Sequence, residues 1–320
     1  MAKKILKVAG FVLLVVLGFV LLLGLIPVSI PMLESSPDPV ADYDEAVQRF
    51  GSVVDAEAGI LMSDKAASLL LTHGEKTDKV YVLIHGWTNS PHQWLDFGQL
   101  LFDRGNNVLV IRLPQHGLAS HNVGELQHAT PELLRDYGDE VVDIAAGLGD
   151  EVHVVGLSVG GVIASWIAQN REGVVRVMPI SPMFGVGTLP EFVNYFLFNL
   201  ASRVPNLNVV PPSEPKRDHV YPGEATWGVV NAMAFGRSLF DVAEDEKTAV
   251  SNIIMVTNAN DTTVNNHLTG ELETLWQQAG TSPTIYIFPK ELGYPHDSID
   301  PTSNPDADAV YVKLLELLGE

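Results

Sequence analysis

The pentapeptide Gly156-Leu157-Ser158-Val159-Gly160, followed by Gly161, is where residue types and spacing point most directly to chemistry. The apolar run 152–155 before it reads as a strand, and 159–169 after it has helical spacing. A strand that turns straight into a helix forces the residue between them into a strained backbone conformation and projects its side chain at the helix N-terminus. The positive end of the helix dipole there favours an oxyanion. A Gly-x-Ser-x-Gly string alone arises by chance in a chain with 27 glycines; the strand–turn–helix context is what makes it a nucleophile elbow.

A nucleophilic serine needs a base, a group that orients the base, and two donors for the developing oxyanion. Leu83-Ile84-His85-Gly86-Trp87-Thr88 follows the apolar run 79–84, so the backbone N–H groups of Trp87 and Val159 are the expected oxyanion donors. His85 stands too early in the chain to be the base. After the run 253–257 comes Asn258-Ala259-Asn260-Asp261-Thr262-Thr263-Val264. After the run 284–288 comes Gly293-Tyr294-Pro295-His296-Asp297, with the only histidine beyond that run. Ser158, Asp261 and His296 thus follow the chain order of elbow-type sheets: nucleophile, orienting acid, general base. Asp297 and Asp300 are the substitutes should Asp261 be an ordinary loop residue. His116, His121 and His128 lack the i, i+4 spacing of a zinc site and read as loop and surface histidines. No metal and no organic cofactor is expected.

The elements that must hold these residues alternate along the body. Runs 68–72 and 79–84, separated by a turn at Gly74, read as a hairpin. Helical spacing at 92–104, 131–148, 159–169, 263–278 and 306–318 alternates with strands at 107–111, 152–155, 174–180, 253–257 and 284–288. Continuous apolar strands between helices mean a mostly parallel sheet with helices on both faces. Residues 182–250 break the rhythm with an aromatic group (Phe192, Tyr195, Phe196, Phe198), a Pro-rich passage at 211–215 and helical spacing around 227–240. About 70 residues exceed a simple loop, so an inserted helical cap is expected, its aromatics serving the cap core or an acyl-chain pocket.

Residues 8–33 carry no charge, and about 20 apolar residues suffice to cross a bilayer as a helix. Lys3, Lys4 and Lys7 precede the run; Glu34, Asp38, Asp42, Asp44 and Glu45 follow it. The positive-inside rule then predicts a single-pass membrane protein with a cytoplasmic N-terminus and an extracytoplasmic catalytic domain. A cleaved signal peptide is the competing reading, disfavoured by the length of the run and by Leu25-Ile26-Pro27 at its end. Residues 34–56 read as an acidic tether with a short helix around 42–53. Beyond residue 33 the chain carries 16 basic against 39 acidic residues, a formal −23, which repels nucleic acid and anionic headgroups. The absence of cysteine excludes disulfides and thiolate chemistry.

Taken together, these positions resemble the α/β-hydrolase superfamily, in its bacterial carboxylesterase and monoacylglycerol-lipase-like branch. The carriers are Leu83-Ile84-His85-Gly86-Trp87-Thr88-Asn89-Ser90-Pro91, Arg112-Leu113-Pro114-Gln115-His116-Gly117, the elbow, Asp261 and His296, and the resemblance spans about residues 68–319. Gln115 departs from the glycine usual in the family, and Trp87 often corresponds to phenylalanine. The resemblance implies an α/β-hydrolase fold; with the segments read above, the chain divides as 1–33 anchor, 34–67 tether, 68–181 with 251–320 core, and 182–250 cap. It also implies hydrolysis of a small-molecule or lipid carboxylic ester. An acyltransferase, thioesterase or aminopeptidase on the same fold is the alternative, and a non-catalytic membrane-tethered binding protein a more distant one.

Overall fold

The computed structural model of the protein describes residues 2–212 and 217–320; part of the Pro-rich passage, including Pro215, lies outside the described residues. In chain order the strands are β1 (Leu69–Leu71), β2 (Thr77–Ile84), β3 (Asn107–Val110), β4 (Gly149–Leu157), β5 (Val174–Ile180), β6 (Asn208–Val209), β7 (Glu224–Ala225), β8 (Ile254–Asn258) and β9 (Thr284–Phe288). The helices are α1 (Ala2–Leu25), α2 (Tyr43–Glu57), α3 (Leu95–Phe102), α4 (Pro131–Leu148), α5 (Val159–Asn170), α6 (Glu191–Ala201), α7 (Thr226–Asp245), α8 (Asn266–Gln278) and α9 (Ala307–Leu318).

Seven strands form one sheet in the order β1-β3-β2-β4-β5-β8-β9, all parallel except β1. The hairpin expected around Gly74 does not form. β1 pairs antiparallel with β3 (Leu69 opposite Val110, Leu71 opposite Val108), and β2 lies on the far side of β3. The reason is burial: the second half of β2 is buried on both faces and needs a central place, whereas the short, half-buried β1 suits an edge.

Alternation along the strands divides the core into two layers. Val80, Val82 and Ile84 face one side with Leu134, Trp166 and Trp276 of α4, α5 and α8. Tyr81 and Leu83 face the other with Trp94, Phe97 and Leu101 around α3 and Tyr311 and Leu314 of α9. The register sets Ile84 opposite Gly156, Leu157 opposite Ile180 and Asn258 opposite Phe288. The loops leaving β2, β4, β8 and β9 therefore emerge at one edge, outside the carboxyl ends of the strands, where parallel sheets place their sites.

The segment expected to be a tether is instead docked. Trp166 Nε1–H donates to Leu33 O (3.0 Å), Ser35 Oγ and Ser36 N donate to the Asp139 carboxylate (2.6 and 2.8 Å), and Asp38 N donates to Asp143 (2.9 Å). The same two aspartates bind the buried Arg171 guanidinium. Removing one partner of such a pair costs about 3–5 kcal/mol because the other charge is left buried alone. α2 then packs on α4, and Glu57 at its end bonds Ser68 (2.8 and 2.9 Å) and Arg112 (3.0 Å).

In the inserted stretch, α6 and α7 flank the two-residue ladder of β6 with β7. Its aromatics mainly pack. The Arg237 guanidinium lies 4.0 Å from the Tyr195 ring centre and 4.8 Å from that of Phe198, Phe196 lies against Gly24 of α1, and Phe192 is 73% exposed. α1 is long and apolar enough to cross a membrane, and only 6% of its most apolar window is buried.

Candidate active site

Ser158 sits between β4 and α5 with φ 60° and ψ −116°, a left-handed backbone uncommon for any residue with a Cβ. The close approach of the two elements dictates the flanking glycines. A Cβ on Gly156 would lie 2.0 Å from Gly160 O, and one on Gly160 would lie 2.2 Å from Ile84 O. The turn is fixed by Ser158 N–H donating to Ile180 O (2.9 Å) and by Ser158 O accepting from Val162 N (3.0 Å) and Met183 N (3.1 Å). Ser158 is 5% exposed, beneath the loop that carries Gly86 and Trp87; a Cβ on Gly86 would stand 3.5 Å from Ser158 Cβ.

Neither Trp87 N–H nor Val159 N–H is given to an acceptor among the described residues. Their loop is set from below by two buried histidines. His85 Nε2 accepts from Leu113 N (2.9 Å), so its proton is on Nδ1, which donates to Gly86 O (2.9 Å). His116 packs edge-on against both Trp87 (4.6 Å between ring centres) and His85 (5.5 Å). His116 is thus fully buried, not the surface histidine that its place in a polar loop suggests. Burial pushes His116 down to about 3, with the Arg112 charge acting the same way against a bond to Pro114 O, and it drives His85 well down too. Gln115 adopts φ 64°, the left-handed conformation that explains a glycine preference there.

The structure brings Asp261 and His296 together. His296 Nδ1–H donates to Asp261 Oδ2 (2.6 Å), while Asp261 Oδ1 accepts from Thr263 N (2.8 Å) and Val264 N (3.4 Å). Burial raises the Asp261 carboxyl, but the His296 bond, its charge and the two backbone donors outweigh it and hold the group below its ordinary value. The substitutes named from sequence serve elsewhere: Asp297 binds Gln93 and Asn89, and Asp300 faces His219 and Arg217. With Nδ1 engaged, His296 Nε2 is the nitrogen free to accept a proton. Among the described residues no hydrogen bond joins Ser158 Oγ to His296; in unliganded sites of this kind such contacts tighten when substrate binds.

Sequence reasoning missed several neighbours. Asn258, at the end of β8, donates to Tyr294 O (2.9 Å) and Pro295 O (3.2 Å), and so holds the His296 loop against the Asp261 loop. Tyr221 donates its N–H to Thr88 O (2.9 Å), joining the inserted segment to the loop of Trp87. Thr88, Val209, Tyr221 and Glu224 line a crevice of about 370 Å³. Loss of solvent around its carboxyl pushes Glu224 up, although the residue keeps an exposed edge, and the His296 charge pulls it partly back. Only Asn258, within Asn258-Ala259-Asn260-Asp261, carried a local signal.

The profile of the family described as the alpha/beta hydrolase family matches residues 81–291. A thermostable monoacylglycerol lipase of Bacillus sp. (strain H-257) is 24% identical over 129 residues, which cover 35% of this chain and 48% of that protein; the match spans about half of that lipase. Among solved structures, a chain from the metagenome-derived lipolytic enzymes LipS and LipT superposes with a TM-score of 0.58 at 17% identity, covering 80% of this chain and 99% of that one. The monoacylglycerol lipase of Paleococcus ferrophilus gives 0.56 at 14% identity (78% and 97%). Est1E of Butyrivibrio proteoclasticus with ferulic acid bound gives 0.52 at 17% (79% and 95%). The structural likenesses speak for the fold, and the profile spans most of the sheet, the elbow and the inserted segment: the chain belongs to the alpha/beta hydrolase family.

Proposed function

We propose that the protein is a serine hydrolase of carboxylic esters, of the carboxylesterase or monoacylglycerol-lipase kind, with Ser158 as nucleophile. His296 Nε2 takes the Ser158 proton as Oγ attacks the ester carbonyl, and Trp87 N–H and Val159 N–H receive the oxyanion. The proton passes to the departing alcohol, leaving an acyl group on Ser158, and water deprotonated by His296 releases the acid. Asp261 keeps the proton on Nδ1 throughout. The observation that carries this reading is the 2.6 Å Asp261–His296 bond in loops that emerge beside an elbow serine with φ 60°. A p-nitrophenyl ester series of increasing chain length tests it. Turnover should fall about 10⁴-fold or more in Ser158→Ala with folding intact, and unchanged turnover in that variant would end the proposal.

The cap role of residues 182–250 and the membrane role of α1 belong to the same proposal. At 1.5 Å per residue the 24-residue α1 spans about 36 Å, enough for a hydrocarbon core of about 30 Å. Its end is bound to α6: Asn199 Nδ2 donates to Gly24 O (3.1 Å), Val28 N to Asn199 Oδ1 (3.2 Å), and Arg203 to Leu23 O and Pro27 O (3.0 and 2.9 Å). These bonds fill carbonyls that a helix end leaves open and seat the inserted segment beside the bilayer. Full-length protein should sediment with membranes and resist extraction by salt. Mature protein beginning beyond Ile26 would instead mark a cleaved signal peptide.

A further inference from the structure

Gln93 lies in the short helical turn Pro91–Trp94 that follows the oxyanion loop, and it is 2% exposed. Both ends of its amide are used. Oε1 accepts from Gly86 N (2.7 Å), and Nε2 donates to Asp297 Oδ1 (2.8 Å). Only this orientation satisfies both neighbours, since a backbone N–H can only give and a carboxylate only receive. Gly86 precedes the proposed oxyanion donor Trp87, and a Cβ built on it would stand 3.5 Å from Ser158 Cβ; Asp297 directly follows His296. Asn89, from the same loop as Trp87, adds a second strap to Asp297 Oδ2 (3.2 Å). From its own side Asp297 receives Asp300 N (3.2 Å) and Ser303 Oγ (3.0 Å). The carboxylate thus has four donors and, among the described residues, no ion-pair partner.

We propose that Gln93 and Asp297 form a brace that fixes the distance between the oxyanion loop and the base loop, making Gln93 a positioning residue for the reaction. The inference rests on the serine-hydrolase reading. The two loops leave strands that are not neighbours in the sheet, β2 and β9, with β4, β5 and β8 between them. No ladder joins these two strands directly, so the spacing of the loops beyond their ends falls to a side-chain link across the carboxyl edge. Spacing matters because a misplacement of about 1 Å between reacting groups costs on the order of 10²-fold in rate.

The test is turnover per site, with sites counted by a fluorophosphonate on the full chain. Gln93→Leu should lower kcat about 10- to 100-fold with KM within about threefold, and should weaken a trifluoromethyl ketone inhibitor, which forms a tetrahedral adduct, by a similar factor. Gln93→Glu keeps the acceptor for Gly86 but sets carboxylate against carboxylate, and should also be slow. Combining it with Asp297→Asn restores a donor–acceptor pair of reversed sense, at the loss of the Asp300 N bond to the same atom, and should make kcat several-fold faster than in Gln93→Glu while still below wild type. A role confined to stability would lower the melting temperature and the number of titrated sites while leaving kcat per site unchanged. That result, or a double variant no faster than Gln93→Glu, overturns the brace. If Ser158→Ala remains active, the underlying reading has failed instead; a brace failure leaves Ser158 essential.

Discussion

At the carboxyl edge of the sheet, the side chains around Ser158 are tied to neighbouring loops. Asp261 is bound to His296, Asn258 to the backbone before His296, His85 to Leu113, and Gln93 to both Gly86 and Asp297. The inserted stretch above is built differently. Among the described residues its only strands are two residues long, and Phe192, Leu207, Val209, Val210 and Trp227 stay exposed. A floor cross-linked by hydrogen bonds keeps reacting groups in place, whereas the exposed apolar rim of the insert, outside the buried residues Phe235 and Leu239 of α7, changes shape at less cost. On the proposed reading, the reaction belongs to the floor and the choice of substrate to the roof.

The largest effect that would sharpen this contrast belongs to the floor. Asp261→Asn preserves shape but lets His296 carry its proton on the wrong nitrogen, and kcat should fall about 10⁴-fold for every ester tested. Losses that differ strongly between esters would break the division. Next comes the docked N-terminal segment. A chain begun at Glu34 should fold and turn over ester, whereas one begun at Ser68 loses the Ser35 and Ser36 bonds to Asp139 and the Glu57–Arg112 pair. At about 3–5 kcal/mol for one exposed buried charge, the shorter chain should melt far lower or fail to fold, as a thermal scan of both would show.

Acid should weaken the floor before it touches the roof. His116 is held neutral down to about pH 3 in the folded protein, while an ordinary histidine takes its proton near pH 6.5. The unfolded chain therefore binds a proton that the folded one refuses, so stability is complete above that range and falls as pH drops through it. At ~1.4 kcal/mol per unit the loss is about 2 kcal/mol by pH 5, and His85 acts in the same direction. Urea unfolding at pH 7.5 and pH 5 checks this; equal midpoints would contradict it, and His116→Gln should shrink the difference. The smallest effect belongs to the roof. Val209→Asn, on the crevice wall, should change the preference between short- and long-chain esters by up to about 10-fold, since losing an apolar contact to a methylene or two is worth about 1–3 kcal/mol, and should leave phosphonate labelling rates unchanged.

The same contrast explains what was legible in the sequence. Ser158 directly follows β4, Asp261 lies three residues past β8 and His296 eight past β9, so strand ends and chain order pointed to them. The edge position of β1 was not legible, because its partner β3 lies more than 30 residues away and the nearer turn at Gly74 mimics a hairpin. Nor was the docking of residues 34–57: the acidic, proline-containing stretch looks solvated, and the aspartates that bind it, Asp139 and Asp143, sit on α4 about 100 residues on. His116 was misread for the same reason, its burial depending on Trp87 and His85 from another loop.

Peptide mapping of the intact protein after reaction with a fluorophosphonate tests the central claim most directly. The account predicts one phosphonyl adduct, on Ser158 in the Gly156–Gly160 elbow, with ester turnover lost in proportion to labelling. An adduct on another residue, or full turnover in protein whose Ser158 is quantitatively labelled, would contradict it.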